Sequence, residues 1–194
     1  NKIGSKWENF ANYWRTTQLE YTWLRSLMKK HKDFWQVTED SLDKSMKVFN
    51  IESSLKNELL NLYKILSPYP EVKKVLTNLK EKKFKLAILS NGTPKLLEEL
   101  VKSNNLNNLF DDLFSVEEVK IYKPNSKVYD LPIKKYKIKP EEIIFLSANT
   151  WDVSGGGNYG YNSVWVNRGK SHFDNLDYYP KNEIGNLTQL LDIV

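Results

Sequence analysis

Three polar stretches follow directly on apolar runs in this chain: Ser90-Asn91-Gly92, Tyr122-Lys123-Pro124 and Ser147-Ala148-Asn149-Thr150-Trp151-Asp152. Together they offer hydroxyls, amides, one ammonium and one carboxylate. Thiol nucleophiles and cysteine-held zinc are excluded, because the 194 residues contain no cysteine. Loops after strands are often polar simply to satisfy backbone groups, and Ser-Asn-Gly also reads as turn chemistry with Gly92 at a positive φ. Three such stretches at one rim of one sheet carry more weight, since parallel α/β folds do their chemistry at the carboxyl ends of strands. Gly155-Gly156-Gly157 lacks the dinucleotide-loop spacing and reads as a flexible helix start.

The elements that must position these stretches come in two textures. Residues 7–66 read as helical throughout. Trp7, Phe10, Trp14, Tyr21, Leu24 and Met28 mark one apolar stripe on a long helix. Leu42, Met46 and Phe49 predict a second helix, and Leu55, Leu59, Leu62 and Ile65 a third. Ser67-Pro68-Tyr69-Pro70 then breaks the chain. Beyond it, helices over 71–82, 94–101 and 126–137 alternate with short apolar strands at 84–89, 114–116, 143–146 and 163–167. Thr93-Pro94 is a strong helix start, and Pro132 is expected to kink or shorten its helix. The pattern predicts an α/β fold: a Rossmann-like parallel-sheet core over 70–194, preceded by a helical cap over 1–69.

Composition narrows the partners. Hydrophobic residues make up 40% and charged residues 27%, enough for a packed core, and no apolar run reaches the length of a membrane helix. The net charge is +5, yet only three of the 29 basic residues are arginines: Arg15, Arg25 and Arg168. Nucleic-acid readers lean on arginine forks, and no nucleic-acid-binding motif is present, so nucleic acid and membrane are not expected partners. With no signal segment and no cysteine, the expected location is the cytoplasm.

Ser-Asn-Gly, Tyr-Lys-Pro and Ser-x-Asn-x-Trp-Asp, in this order and preceded by the helical run Trp14-Arg15 through Gln18-Leu19-Glu20-Tyr21-Thr22-Trp23-Leu24-Arg25, resemble the L-2-haloacid dehalogenases of the haloacid dehalogenase superfamily. The resemblance covers nearly all of the chain. It implies that Ser90 binds a substrate carboxylate, that Asn91 and Arg15 receive the departing halide, and that Lys123 neutralises developing negative charge. It further implies that Asp152 positions or activates water with Lys123, with Ser147 and Asn149 completing the polar network. Tyr129 matches a tyrosine that hydrogen-bonds in the site, and Leu19, Phe34 and Trp151 match the apolar pocket around the substrate. Arg15 and Leu19 share a helix face about 100° from the aromatic stripe. Ala148 stands where related phosphatases carry a magnesium-binding aspartate, and alanine has no oxygen to offer, so neither a metal nor another cofactor is expected.

The chain departs from the family at Thr16, at Pro132 and in the loose-looking glycine run. A larger departure concerns the nucleophile. Family members open with a strand ending in Asp-x-Tyr-Gly-Thr, whose aspartate attacks the substrate, whereas the first aspartate here is Asp33. The expectation from sequence is that the first core strand and its aspartate are absent. Three functions are therefore weighed: a metal-independent hydrolase converting (S)-2-haloacids to 2-hydroxyacids and halide; an inactive relative that keeps a pocket for small carboxylates and anions; and an interaction protein forming a homodimer through its aromatic cap stripe. The 194 residues alone are expected to turn over little 2-chloropropionate while binding small anions weakly.

Overall fold

The computed structural model describes residues 3–194. Helices come first: α1 (Trp7–Leu27), α2 (Phe34–Phe49) and the short α3 (Lys56–Asn61). The remainder alternates as α4 (Val72–Glu81), β1 (Ala87–Ser90), α5 (Pro94–Ser103), β2 (Asp112–Ser115), α6 (Ser126–Tyr136), β3 (Ile144–Ser147), α7 (Thr150–Tyr159), β4 (Asn162–Val166) and β5 (Asn182–Ile184). Local chemistry sets several starts. Asp33 accepts from the Gln36 amide at 2.9 Å and Thr93 from the Leu96 amide at 3.3 Å, each satisfying an orphan donor of a first turn. The Asp33 cap starts α2 well before the Leu42–Met46–Phe49 stripe that predicts it.

Every strand pairing is parallel. β1 pairs with β2, from Ala87 opposite Asp112 to Ser90 opposite Ser115. β3 pairs with β4 and β4 with β5, giving the order β3-β4-β5. The two sheets share no ladder, so β1 and β3 each have a strand on one side only among the described residues. Alternation along β3 and β4 separates two faces. Ile144, Leu146, Val164 and Val166 pack with Val75 and Leu79 of α4. On the other face, Phe145 packs with Tyr129 of α6 and with Tyr161.

Four sequence expectations change in the fold. The α1 stripe is displaced: Phe10 and Trp14 are buried against Leu42, Met46, Leu59 and Leu60, but Trp7, Leu24 and Met28 are exposed, and the buried face continues through Thr17, Gln18 and Thr22. Trp14 also donates its indole proton to the Thr38 carbonyl at 3.1 Å, so Phe10 and Trp14 of the stripe belong to the interior of the helical lobe. Pro132 neither shortens nor breaks α6; it lies on the buried face, where packing outweighs one lost intrahelical bond. The first strand begins at Ala87 rather than Phe84, because Lys83 turns left-handed and the Phe84 amide closes α4 on the Leu79 carbonyl at 3.0 Å. β5, which has no strong apolar signal, completes the sheet edge.

The glycine run is not a loose helix start. Gly155, Gly156 and Gly157 lie inside α7, and each permits a close approach. A Cβ on Gly155 would meet the Tyr129 hydroxyl at 2.4 Å, one on Gly156 the Phe145 ring at 2.6 Å, and one on Gly157 the Tyr178 ring at 2.0 Å. The missing side chains let three aromatic rings seat directly against the helix.

Candidate active site

The carboxyl ends of β1 and β3, the loop before α6 and the first turn of α7 bring the predicted polar residues together. Lys123 and Asp152 are 5% and 4% exposed, and the lysine Nζ lies 3.0 Å from Asp152 Oδ2. The same carboxylate accepts from Ser147 Oγ at 3.0 Å and, through Oδ1, from the Tyr129 hydroxyl at 2.8 Å. Lys123 also stands over the Phe145 ring, 5.1 Å from its centroid. Two buried charges are tolerated here because each meets the other and the carboxylate is held by further donors. Burial first, then the Asp152 charge and the hydrogen bond to it, push the Tyr129 hydroxyl far above the ordinary phenol range, so Tyr129 acts as a permanent donor.

Ser90 and Asn91 sit beside this pair. The Asn91 side-chain oxygen accepts from the Lys123 amide at 3.2 Å, which leaves its Nδ2 protons for a ligand. Ser90 Oγ accepts from the Gly92 amide at 3.0 Å, and the Gly92 carbonyl accepts from Ser115 Oγ at 2.7 Å. Gly92 does not adopt the positive φ of the turn reading; its constraint is space, since a Cβ would lie 3.2 Å from Leu97. Asn149 precedes α7 as its cap residue, and its amide donates to Ser147 Oγ at 3.2 Å. Ala148 is exposed. A hard divalent cation would find one carboxylate here, with both of its oxygens taken by Lys123, Ser147 and Tyr129, and this donor set does not fit magnesium.

The helical lobe reaches the rim through one face of α1. Arg15, Leu19, Trp23 and Ser26 follow each other at helical spacing and share that face. Ser26 Oγ accepts from the Tyr122 amide at 3.2 Å, one residue before Lys123. Trp23 meets Trp151, one residue before Asp152, edge to face with ring centroids 5.5 Å apart. The face that carries Arg15 and Leu19 is therefore the face turned to the loops that hold Lys123 and Asp152. Arg15 remains solvent-exposed, yet surrounding protein lowers its pKa by desolvation, partly offset by Tyr63; it stays charged at any physiological pH. Phe34 is packed in the seam between the lobes against Tyr122, with Val37, Val116 and Val128.

Sequence reasoning missed several of these partners. Ser26, Trp23 and the His31–Glu117 pair (3.1 Å) tie the lobes together, and no hydropathy signal marks them. A cavity of ≈ 510 Å³ adjoins the site, lined among others by Pro124, Trp151, Ser154, Asn158 and Tyr159. Of the predicted site residues, only Trp151 borders it. Trp151 thus has Trp23 on one edge and this cavity beside it.

Comparison with known proteins agrees with this geometry. Residues 10–166 match the family model described as haloacid dehalogenase-like hydrolase. The chain is 41% identical over 168 residues to (S)-2-haloacid dehalogenase 1 of Pseudomonas sp. (strain CBS-3), covering 86% of this chain and 74% of that protein. It superposes on the crystal structure of the L-2-haloacid dehalogenase RSc1362 with a TM-score of 0.96 at 34% identity, over 100% of this chain and 88% of that one. It also superposes on the L-2-haloacid dehalogenase from Xanthobacter autotrophicus with chloropropionic acid covalently bound, with a TM-score of 0.90 at 29% identity over 98% and 87% of the two chains. A parallel α/β core whose rim holds a buried lysine–aspartate pair under a helical lobe, matched over this much sequence, places the chain in the haloacid dehalogenase-like hydrolase family.

Proposed function

We propose that this site acts on short (S)-2-haloacids, releasing halide and forming the 2-hydroxyacid without a metal ion or other cofactor. The observation that carries the reading is the buried Lys123–Asp152 pair, held by Tyr129 and Ser147 beneath the α1 face that bears Arg15. In this reading 1–69 is the cap and 70–194 the core. Ser90 holds the substrate carboxylate, and Leu19, Phe34 and Trp151 enclose its alkyl group. Arg15 and the Asn91 amide take the halide as the carbon–halogen bond breaks and the bonding pair leaves with it. Lys123 neutralises charge on the carboxylates that gather at C2.

The chemistry has two steps. A carboxylate oxygen attacks C2, expelling halide and forming an ester. Water then adds to the ester carbonyl, its proton passing to Asp152, and the 2-hydroxyacid leaves as the carboxylate is restored. Ser147 and Asn149 orient that water. A second reading rests on the polar rim alone: Ser90, Asn91, Lys123 and Arg15 bind small carboxylates and halide without covalent chemistry. Chloride release from (S)-2-chloropropionate, lost in Arg15→Ala and Lys123→Met, supports the hydrolase. Binding of bromide and 2-hydroxypropionate without release supports the binding reading. Binding of neither overturns both.

No described helix is long and apolar enough to cross a membrane. The cysteine-free composition supports a cytoplasmic location, and the exposed Leu27 and Met28 at the end of α1 support a homodimer, which analytical ultracentrifugation tests.

A further inference from the structure

We infer that Gln18 is the positioning residue that aims Arg15 at the departing halide while leaving its charge intact. The inference rests on the halide role proposed above for Arg15. Gln18 is 0% exposed and sits at the centre of a short chain of hydrogen bonds. Arg15 Nη1 donates to Gln18 Oε1 at 2.9 Å, and the Tyr63 hydroxyl donates to the same oxygen at 3.4 Å. On the other side, Gln18 Nε2 donates to Thr38 Oγ1 at 2.7 Å, and Thr38 Oγ1 donates onward to the Phe34 carbonyl at 2.7 Å.

The polarity of that chain is determined at its far end. A backbone carbonyl only accepts, so the Thr38 hydroxyl spends its single proton on Phe34 and must accept from Gln18. The amide nitrogen therefore faces Thr38, and the amide oxygen faces Arg15. A flipped amide would present protons to a guanidinium that can only donate. Thr38 is itself fully buried, and its carbonyl accepts from Trp14 Nε1 at 3.1 Å and Ser41 Oγ at 3.0 Å, so the anchor is rigid.

The chemical type of the partner matters as much as its place. Arg25 is paired with Asp40, and Arg168 with Glu71. Arg15 has no carboxylate partner among the described residues; a neutral amide holds it. An acidic partner would fix the guanidinium equally well but cancel the charge an anion needs.

Bromide affinity, measured by isothermal titration calorimetry on the full chain with circular dichroism as the folding control, tests this. Arg15→Ala is expected to abolish binding. Gln18→Met and Thr38→Val should each weaken it about tenfold, the scale of one charge-assisted hydrogen bond. Thr38→Ser, which keeps the hydroxyl, should recover most of what Thr38→Val loses, and Gln18→Glu should weaken binding further by cancelling the charge. If Arg15→Ala abolishes binding but Gln18→Met and Thr38→Val stay within about twofold of the unaltered protein, the positioning role is wrong while the halide site stands. If Arg15→Ala leaves bromide binding unchanged, the halide reading fails first. Should Gln18→Met not fold, the Thr38→Val and Thr38→Ser pair carries the test alone.

Discussion

The helical lobe and the α/β core both bury polar groups, but they satisfy them in opposite ways. In the lobe, the seam between α1 and α2 buries Thr17, Gln18, Thr22, Thr38, Ser41 and Ser45. Most of the hydroxyls donate within their own helix: Thr22 to the Leu19 carbonyl at 2.6 Å, Thr38 to Phe34 at 2.7 Å and Ser45 to Ser41 at 2.7 Å. Such bonds ask nothing of distant elements and let two helices approach closely through small side chains. In the core, Asp152 is satisfied only by groups from other elements or loops: Lys123, Tyr129 and Ser147. One region satisfies most of its hydroxyls locally, with Gln18 and Trp14 bridging from α1 to Thr38 of α2. The other depends on assembly, and that dependence is what makes it a pre-organised site.

The comparison breaks most visibly at Lys123. Lys123→Met leaves Asp152 buried without its counter-charge and should cost about 3 kcal/mol in denaturant unfolding. Adding Asp152→Leu should recover much of that loss, because removing both charges is cheaper than orphaning one. If the single variant were as stable as the unaltered protein, the buried pair would not be an assembled unit.

Gly155 gives the next largest effect. Gly155→Ala drives a methyl to within 2.4 Å of the Tyr129 hydroxyl and 2.8 Å of Pro124, and is expected to destabilise by about 2 kcal/mol and to disturb the Tyr129–Asp152 bond. Gly169→Ala, where the nearest atom is 3.8 Å away, serves as the control and should change stability by less than about 0.5 kcal/mol. Thermal unfolding of the two variants side by side checks the contrast.

Thr22→Val sharpens the other half of the comparison. The hydroxyl it removes donates inside α1, and valine keeps the shape, so the expected loss is below about 1 kcal/mol. A loss as large as that of Lys123→Met would mean that a hydroxyl bonded within its own helix carries as much as the assembled pair in the core.

The smallest effect is at Asp111 and depends on pH. Hydrogen bonds from Lys80 and then the Leu86 amide hold the Asp111 carboxyl below its usual range. A carboxyl more acidic in the folded than in the unfolded state adds stability above the unfolded value of about 3.9, and that stability is lost as pH falls through the lower folded value. Asp111→Asn should therefore lower stability slightly at neutral pH, by less than about 1 kcal/mol, and flatten the acid limb of a stability–pH curve below about pH 4, where the two proteins converge. An acid limb identical in the variant would remove Asp111 from the account.

What the sequence determined by itself was whatever a few neighbouring residues decide. Thr93-Pro94 starts α5 because a hydroxyl and a fixed φ act within one turn. Short apolar runs flanked by amphipathic helices imply a parallel sheet, and the polar residues at their ends mark the rim where the candidate site gathers. The ordered motifs sufficed to recognise the family. Tertiary structure alone decided the rest. The motifs set Lys123 and Asp152 at one rim, but their burial and their direct contact across 29 residues of chain exist only in the packed fold. Thr17, Gln18 and Thr22, polar by type, are buried because α2 packs over them, while Leu24 and Met28, apolar by type, are exposed among the described residues. The glycine run reads as flexibility until Tyr129, Phe145 and Tyr178 arrive against it from distant parts of the chain. Burial and pairing are sums over remote neighbours, and a residue's type constrains only its own term in that sum.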